Sequence, residues 1–149
     1  MVFSKKFVCE GRERSTFFSH VAAPVFRKSF LLETERTMGQ LTICALGFYE
    51  LFVNGEKITK GALAPYISNP DHYDYYDLYD ISPYLQQGEN VIGIMLGDGF
   101  TNGKTNVWDF ADNVFNASPK LAVSVEITDG EKALIFDAEA FHCKKGPVW

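Results

Sequence analysis

Two stretches of this sequence place flat aromatic rings beside planar amide and carboxylate groups. The first runs from Gly97 to Gly103 and on to Phe110, and contains Asp98, Phe100, Asn102, Asn106, Trp108, Asp109 and Phe110. The second holds Tyr66, Asn69, Asp71 and Tyr73. Rings of this kind stack on the apolar face of a sugar, and amides and carboxylates bridge its hydroxyls, so both stretches suit carbohydrate binding. The same residue types have a structural reading. Aromatics in β-proteins also fill cores, and Asn and Asp in loops also make turns. Asp98, Asn102, Asn106 and Trp108, with Phe100 and Tyr66 as further platforms, are the candidate site residues.

Other chemistries find less support. His20, His72 and His142 lie far apart, and no Cys or His pair stands at zinc-ligand spacing, so no metal site is assigned. Asp71, Asp74, Asp77 and Asp80 recur every third residue. On a strand that spacing sends successive carboxylates to opposite faces, which favours a solvated, turn-forming set over a cation site. Hard oxygen ligands at Asp98, Asn102, Asn106, Asp109 and Asp112 leave calcium open as a cofactor. No Gly-x-Ser-x-Gly occurs, and His142 and Cys143 are strand neighbours that point apart. Gly97-x-Gly99-x-x-x-Gly103 lacks the Gly-Lys-Ser/Thr ending of a phosphate loop. The 19 acidic residues single out no catalytic carboxylate pair.

The elements that must position these loops read as strands. Residues 1–23 are irregular; residues 24–149 form the domain. Phe26, Phe30 and Leu32 alternate with Arg27, Lys28 and Glu33. Gln40 to Leu46 and Phe48 to Val53 are rich in β-formers, and Asn54-Gly55 then predicts a type I′ hairpin with a return over Lys57 to Thr59. Tyr73 to Asp80 reads as a strand. Ser82, Pro83 and Gly88 fit the cap, first position and end of one short helix. Asn90 to Leu96 reads as a strand buried on both faces. Leu121, Val123, Val125 and Ile127 alternate, Asp129-Gly130 turns, and Ala133 to Phe136 returns. Seven or eight short strands predict an all-β sandwich.

Composition agrees. At 149 residues the chain is one domain, with 46% hydrophobic and 15% aromatic residues. A net charge of −5 gives it no electrostatic reason to track nucleic acid. No apolar run is long enough to span a membrane, and no signal peptide is recognised. Three cysteines are an odd number, too few for a disulfide framework, and read as free buried thiols. A cytoplasmic location is the matching expectation.

The words of the sequence add a resemblance. Arg27-Lys28-x-Phe30, Gly47-x-Tyr49-Glu50, Asn54-Gly55, Leu63-x-Pro65, Tyr76-Asp77-Leu78, Gly88-Glu89-Asn90 and Gly97-Asp98-Gly99 occur in this order. The set resembles the N-terminal β-sandwich domain of bacterial α-L-rhamnosidases, over about residues 24 to 148. The resemblance implies a jelly-roll-like sandwich similar to galactose-binding domains. It implies a non-catalytic domain of a longer hydrolase whose catalytic (α/α)₆ barrel lies further along, so that this piece is truncated and does not itself hydrolyse glycosides. Its implied partners are that barrel and a rhamnose-containing glycan or glycoside, with substrate recognition and interdomain packing as its work. Related modules that bind L-rhamnose with calcium favour a sugar site. Phe100 and Phe141 stand where the family commonly has Trp, and Tyr66 to Pro70 departs from its usual Gly-Trp-Thr-Asp. A ligand-free spacer and a free-standing carbohydrate-binding protein are the rival expectations. Asn54, Gly55, Gly88 and Asn90 are expected to be turn and cap residues, not ligands.

Overall fold

A computed structural model describes residues 6–13, 15–16, 18–35, 37–69, 72–99, 102 and 117–147. Among them nine strands form two antiparallel sheets. The strands are β1 (Pro24–Leu32), β2 (Thr37–Leu46), β3 (Phe48–Val53), β4 (Glu56–Lys57), β5 (Asp77–Asp80), β6 (Gly88–Gly97), β7 (Lys120–Asp129), β8 (Lys132–Asp137) and β9 (His142–Lys145). One sheet runs β4-β3-β6-β1-β9 and the other β5-β2-β7-β8. The chain is thus the expected β-sandwich.

Period-two alternation builds its core. Tyr49, Leu51 and Val53 of β3 face inward with Ile92, Ile94 and Leu96 of β6. Leu41 and Ile43 of β2 meet them from the other sheet, with Leu121, Val123, Val125 and Ile127 of β7. At the β8 side Phe30, Phe136 and Phe141 pack with ring centroids 5.5 and 6.0 Å apart.

Several local expectations need correction. β6 is buried on one face only: Val91, Gly93 and Met95 point outward and are half-buried. Its near-continuous apolar run hid the alternation. Of residues 73–80 only Asp77–Asp80 pair as a strand, at the sheet edge beside β2. The expected helix is a single 3₁₀ turn over Ser82–Tyr84, and Ser82 does not cap it from outside. Instead Ser82 Oγ donates to Asp80 Oδ1 at 2.6 Å and accepts from Gly39 N at 2.9 Å. A second 3₁₀ turn, Ala138–Ala140, is capped by the Asp137 side chain. β9, His-Cys-Lys-Lys, carries no apolar alternation of its own. It is recruited by backbone pairing with β1. Of the cysteines only Cys44 is buried; Cys9 and Cys143 are exposed. Burial, with the charges of Asp74 and Asp77, pushes the Cys44 thiol up to about 11, so it stays protonated.

The two hairpins close differently. Asn54 (φ 51) and Gly55 (φ 86) both adopt the left-handed conformation between β3 and β4, as a type I′ turn requires. Between β7 and β8 the central residues are Gly130 (φ 64) and Glu131, one position later than expected. Asp129 thereby remains the last residue of β7. Its carboxylate accepts from Glu33 N at 2.7 Å and from Thr34 N at 2.9 Å and Thr34 Oγ1 at 2.7 Å. These bonds hold the carboxyl below its ordinary pKa.

Among the described residues, no helix is long and apolar enough to cross a membrane.

Candidate functional site

The residues that carry the family resemblance turn out to be joints of the fold. Asn90 is fully buried at the start of β6. Its Oδ1 accepts from Asn54 Nδ2 at 2.8 Å and Gln86 N at 3.0 Å, and its Nδ2 donates to Gln86 O at 2.6 Å and Gly88 O at 3.1 Å. Asn54 Oδ1 in turn accepts from Val91 N at 2.8 Å. The Asn-Gly turn and the Gly-Glu-Asn motif are therefore one hydrogen-bonded unit.

A second joint crosses the sandwich. The Tyr49 hydroxyl donates to Asp77 Oδ2 at 2.5 Å and lies 2.8 Å from the Tyr79 hydroxyl. Burial first, then these bonds, push the Tyr49 phenol far above its ordinary pKa. Asp77 is thus not a solvated turn residue. Asp74 and Asp80 are exposed, as expected: Asp74 accepts from Ser68 Oγ at 3.2 Å, and Asp80 accepts from Ser82 N and Oγ in a local turn.

The third joint lies beside the predicted site. A Cβ on Gly47 (φ +134) would sit 2.6 Å from Gly97 O, and one on Gly99 would sit 2.9 Å from Gly47 Cα. The two glycine segments touch, and no side chain fits between them. Asn102 pins this contact. It is buried, its Oδ1 accepts from Gly99 N at 2.9 Å, and its Nδ2 donates to Ala117 O at 2.7 Å. Asn102, expected as a sugar ligand, is buried and uses its amide to join Gly99 to Ala117. Asp98, one residue before Gly99, is left pointing out and exposed.

Asp98 lines a cleft of about 550 Å³. That volume lies within the usual range for small-molecule sites. Its floor comes from the first residues of β3, Phe48 to Glu50, and the last of β6, Met95 to Gly97. Met95 and Phe48 are outward-facing and only half-buried, so they give the floor an apolar surface. A wall is given by Glu10, Gly11, Glu13, Ser15 and residues 20–24.

That wall is irregular but tied at each end. Val8 forms a two-way bridge with Leu121, with N···O distances of 2.8 and 2.9 Å. Ser118 Oγ donates to Gly11 O at 2.6 Å, Ser15 Oγ accepts from Val21 N at 3.1 Å, and Gly146 N donates to Ala23 O at 2.8 Å. Lys145 pairs with Glu13 at 2.9 Å. A second cavity of about 500 Å³ lies behind the wall, sharing Glu13, His20, Val21 and Ala22 with the first.

The other predicted residues do not all converge. Tyr66 is 83% exposed and borders a separate notch of about 30 Å³ with Ser68, Asp74 and Gly99. Phe48 lines both the notch and the cleft. Phe100, Asn106 and Trp108 lie outside the described residues, as do Asp109 and Asp112 of the calcium set. Among the described residues no three His, Cys, Asp or Glu side chains are grouped to hold a metal ion. Sequence reasoning missed the wall. Glu10, Glu13 and His20 sit in a segment without periodicity, and nothing local shows which strands it packs against.

The model of the α-L-rhamnosidase N-terminal domain matches residues 35–149. The chain belongs to this family. An α-L-rhamnosidase of Formosa agariphila is 36% identical over 133 residues, covering 85% of this chain and 14% of the relative. Among solved structures, the α-L-rhamnosidase of Dictyoglumus thermophilum is 30% identical, with a TM-score of 0.69, over 85% of this chain and 14% of that one. The Streptomyces avermitilis α-L-rhamnosidase, solved with L-rhamnose, shares the fold at 24% identity and a TM-score of 0.70, over 85% of this chain and 12% of that one. The chain therefore spans about one seventh of the length of the first relatives it matches. The family match begins after β1, yet β1 pairs with β6 over eight residues in the middle of its sheet. This α-L-rhamnosidase N-terminal domain is thus built from more of the chain than the matched part.

Proposed function

We propose that this chain is the non-catalytic N-terminal domain of a longer α-L-rhamnosidase, and that its cleft takes up part of the rhamnose-containing substrate. The catalytic acid and base then belong to the (α/α)₆ barrel of the parent chain, against which this domain packs. The observation that carries the reading is the cleft itself. It combines apolar lining at Phe48 and Met95 with carboxylates at Glu10, Glu50 and Asp98. Apolar floors accept the carbon face of a sugar and rim carboxylates accept its hydroxyl protons. A deoxy sugar such as rhamnose, with a methyl group in place of a hydroxymethyl, suits a surface of this mixture.

A chemical-shift titration of the labelled chain with L-rhamnose, at about 10 mM and above to cover weak binding, tests this. Shifts confined to the amides of Glu10 to Ala23, Phe48 to Glu50 and Gly97 to Gly99 are expected. Repeating it with calcium tests the cofactor left open by the loop oxygens. No shift at any of these positions sinks the recognition role.

A second reading, the ligand-free spacer, has its own support. Leu63, Tyr66, Ile67, Tyr73, Tyr75 and Tyr76 are all between 46% and 83% exposed, next to the edge strand β5. A run of exposed aromatic surface beside an open sheet edge suits contact with another domain. Packing and recognition are compatible, because the aromatic run and the cleft are lined by different residues apart from Leu63.

A further inference from the structure

Two of the three cysteines sit where the segment that walls the cleft runs along β9. β8 passes through the Ala138–Ala140 turn directly into β9, so the β8 edge of one sheet and the β9 edge of the other border the same side of the sandwich. β8 covers β7 only as far as Ser124, and Val8 takes over that edge at Leu121. The chain after it lies beside β9. In sequence order, Lys6 and Glu139 come before Cys9 and Cys143, and Lys6 Nζ lies 3.1 Å from Glu139 Oε2. Glu13 and Lys145 come after them, and Lys145 Nζ lies 2.9 Å from Glu13 Oε2. The two stretches therefore run side by side in the same direction, each with its cysteine between the ion pairs. Cys143 stands opposite the buried Phe26 of β1 and so shares the core-side face of the sheet, at the seam that the wall segment borders. Both thiols are free and exposed. Partial burial, then the charges of Glu10 and of Cys9 itself, push the Cys143 thiol up to about 11, so the two sulfurs lie within electrostatic reach of each other.

We propose that Cys9 and Cys143 are a redox pair whose disulfide locks the cleft wall onto β9. The oxidant is a small-molecule disulfide of the glutathione class. Cys9, as its thiolate, attacks one sulfur of that disulfide, and the first glutathione leaves as a thiolate. Cys143 then loses its proton and attacks the Cys9 sulfur of the mixed disulfide. The Cys9–Cys143 bond forms and the second glutathione is expelled. The two protein thiols give up two electrons and two protons, and the oxidant is reduced to two thiols. Excess reduced glutathione reverses both steps. Cys44, buried in β2, takes no part. The wall brings Glu10, Glu13 and His20 to the cleft. In the reduced chain it is held there by exposed ion pairs and single hydrogen bonds such as Ser118 Oγ to Gly11 O. Exposed ion pairs hold weakly, so a covalent bond at mid-segment changes how readily the wall lifts.

The test exposes the reduced chain, in dilute solution at about pH 8, to oxidised glutathione and follows its mass. The expected product is a monomer lighter by two hydrogens that keeps one free thiol, with a peptide map joining Cys9 to Cys143. Cys9→Ser and Cys143→Ser replace exposed side chains, so both variants are expected to fold. Each should form no internal bond, its remaining exposed thiol going no further than the mixed disulfide with glutathione. Hydrogen exchange at the amides of Gly11 to Ala23 should slow about tenfold in the oxidised chain and recover on reduction. Glutathione adducts at both cysteines without the internal bond, a bond that forms only between two chains, or no reaction at all overturns the redox pair. An internal bond that leaves exchange in the wall unchanged overturns the lock. None of these outcomes depends on whether the cleft binds a sugar.

Discussion

The joint at Asn54 and Asn90 and the cleft at Asp98 use the same kinds of side chain for opposite purposes. At the joint every amide atom of Asn90 meets a protein partner, and the residue is fully buried. At the cleft Asp98 stands exposed beside an apolar floor. Recognisable sequence motifs mark the first kind of place far more than the second. Turns and caps need particular residues at fixed short spacings, whereas a cleft needs only that suitable groups arrive from somewhere in the chain. Even within Gly97-Asp98-Gly99 the division holds: Gly99 is required by its contact with Gly47, and Asp98 is exposed at the cleft.

Breaking the joint should have the largest effect. Asn90→Ala leaves the Gln86 amide and two carbonyls without their partners, and unfolding in urea should show a loss of about 3 kcal/mol. Tyr49→Phe removes the hydroxyl that bridges Asp77 and Tyr79, with an expected loss of about 2 kcal/mol. It has a pH signature too. Because the folded phenol titrates above its ordinary value of 10.0, its contribution is complete below pH 10 and is lost as pH rises beyond it. The alkaline fall in stability should therefore be shallower in Tyr49→Phe than in the wild type.

Asp129 sharpens the comparison from the acid side. Its carboxyl is depressed below 3.8, so its contribution is complete above that pH and is lost as pH falls through the lowered folded value. Acid unfolding of Asp129→Asn should start from a lower stability and show a flatter acid limb. Asp98→Asn should have the smallest effect on stability, within about 0.5 kcal/mol, since the side chain is exposed. If Asp98→Asn proved as damaging as Asn90→Ala, the division between joint and cleft would fall.

Much of the sandwich was legible because it depends on short-range pattern. β1, β3 and β7 announce themselves by alternation, and the Asn54-Gly55 turn by its demand for two left-handed residues. Where pattern was weak, reading failed. β9 is made of exposed polar residues and exists because β1 offers it an edge. Asn102 looked like a ligand because its amide partners, Gly99 N and Ala117 O, are set by packing that no local rule predicts.

The sequence alone determined most of the strands, the Asn54-Gly55 hairpin and the family, since backbone periodicity and turn stereochemistry act over a few residues. Tertiary structure decided which groups meet. Only the stacking of two sheets brings Tyr49 to Asp77, and only tertiary packing sets Glu10, Glu13 and His20 beside the ends of β3 and β6 to make a cleft there. Those contacts join positions tens of residues apart, and their geometry is set by sheet order and by what the core excludes, which no local spacing records.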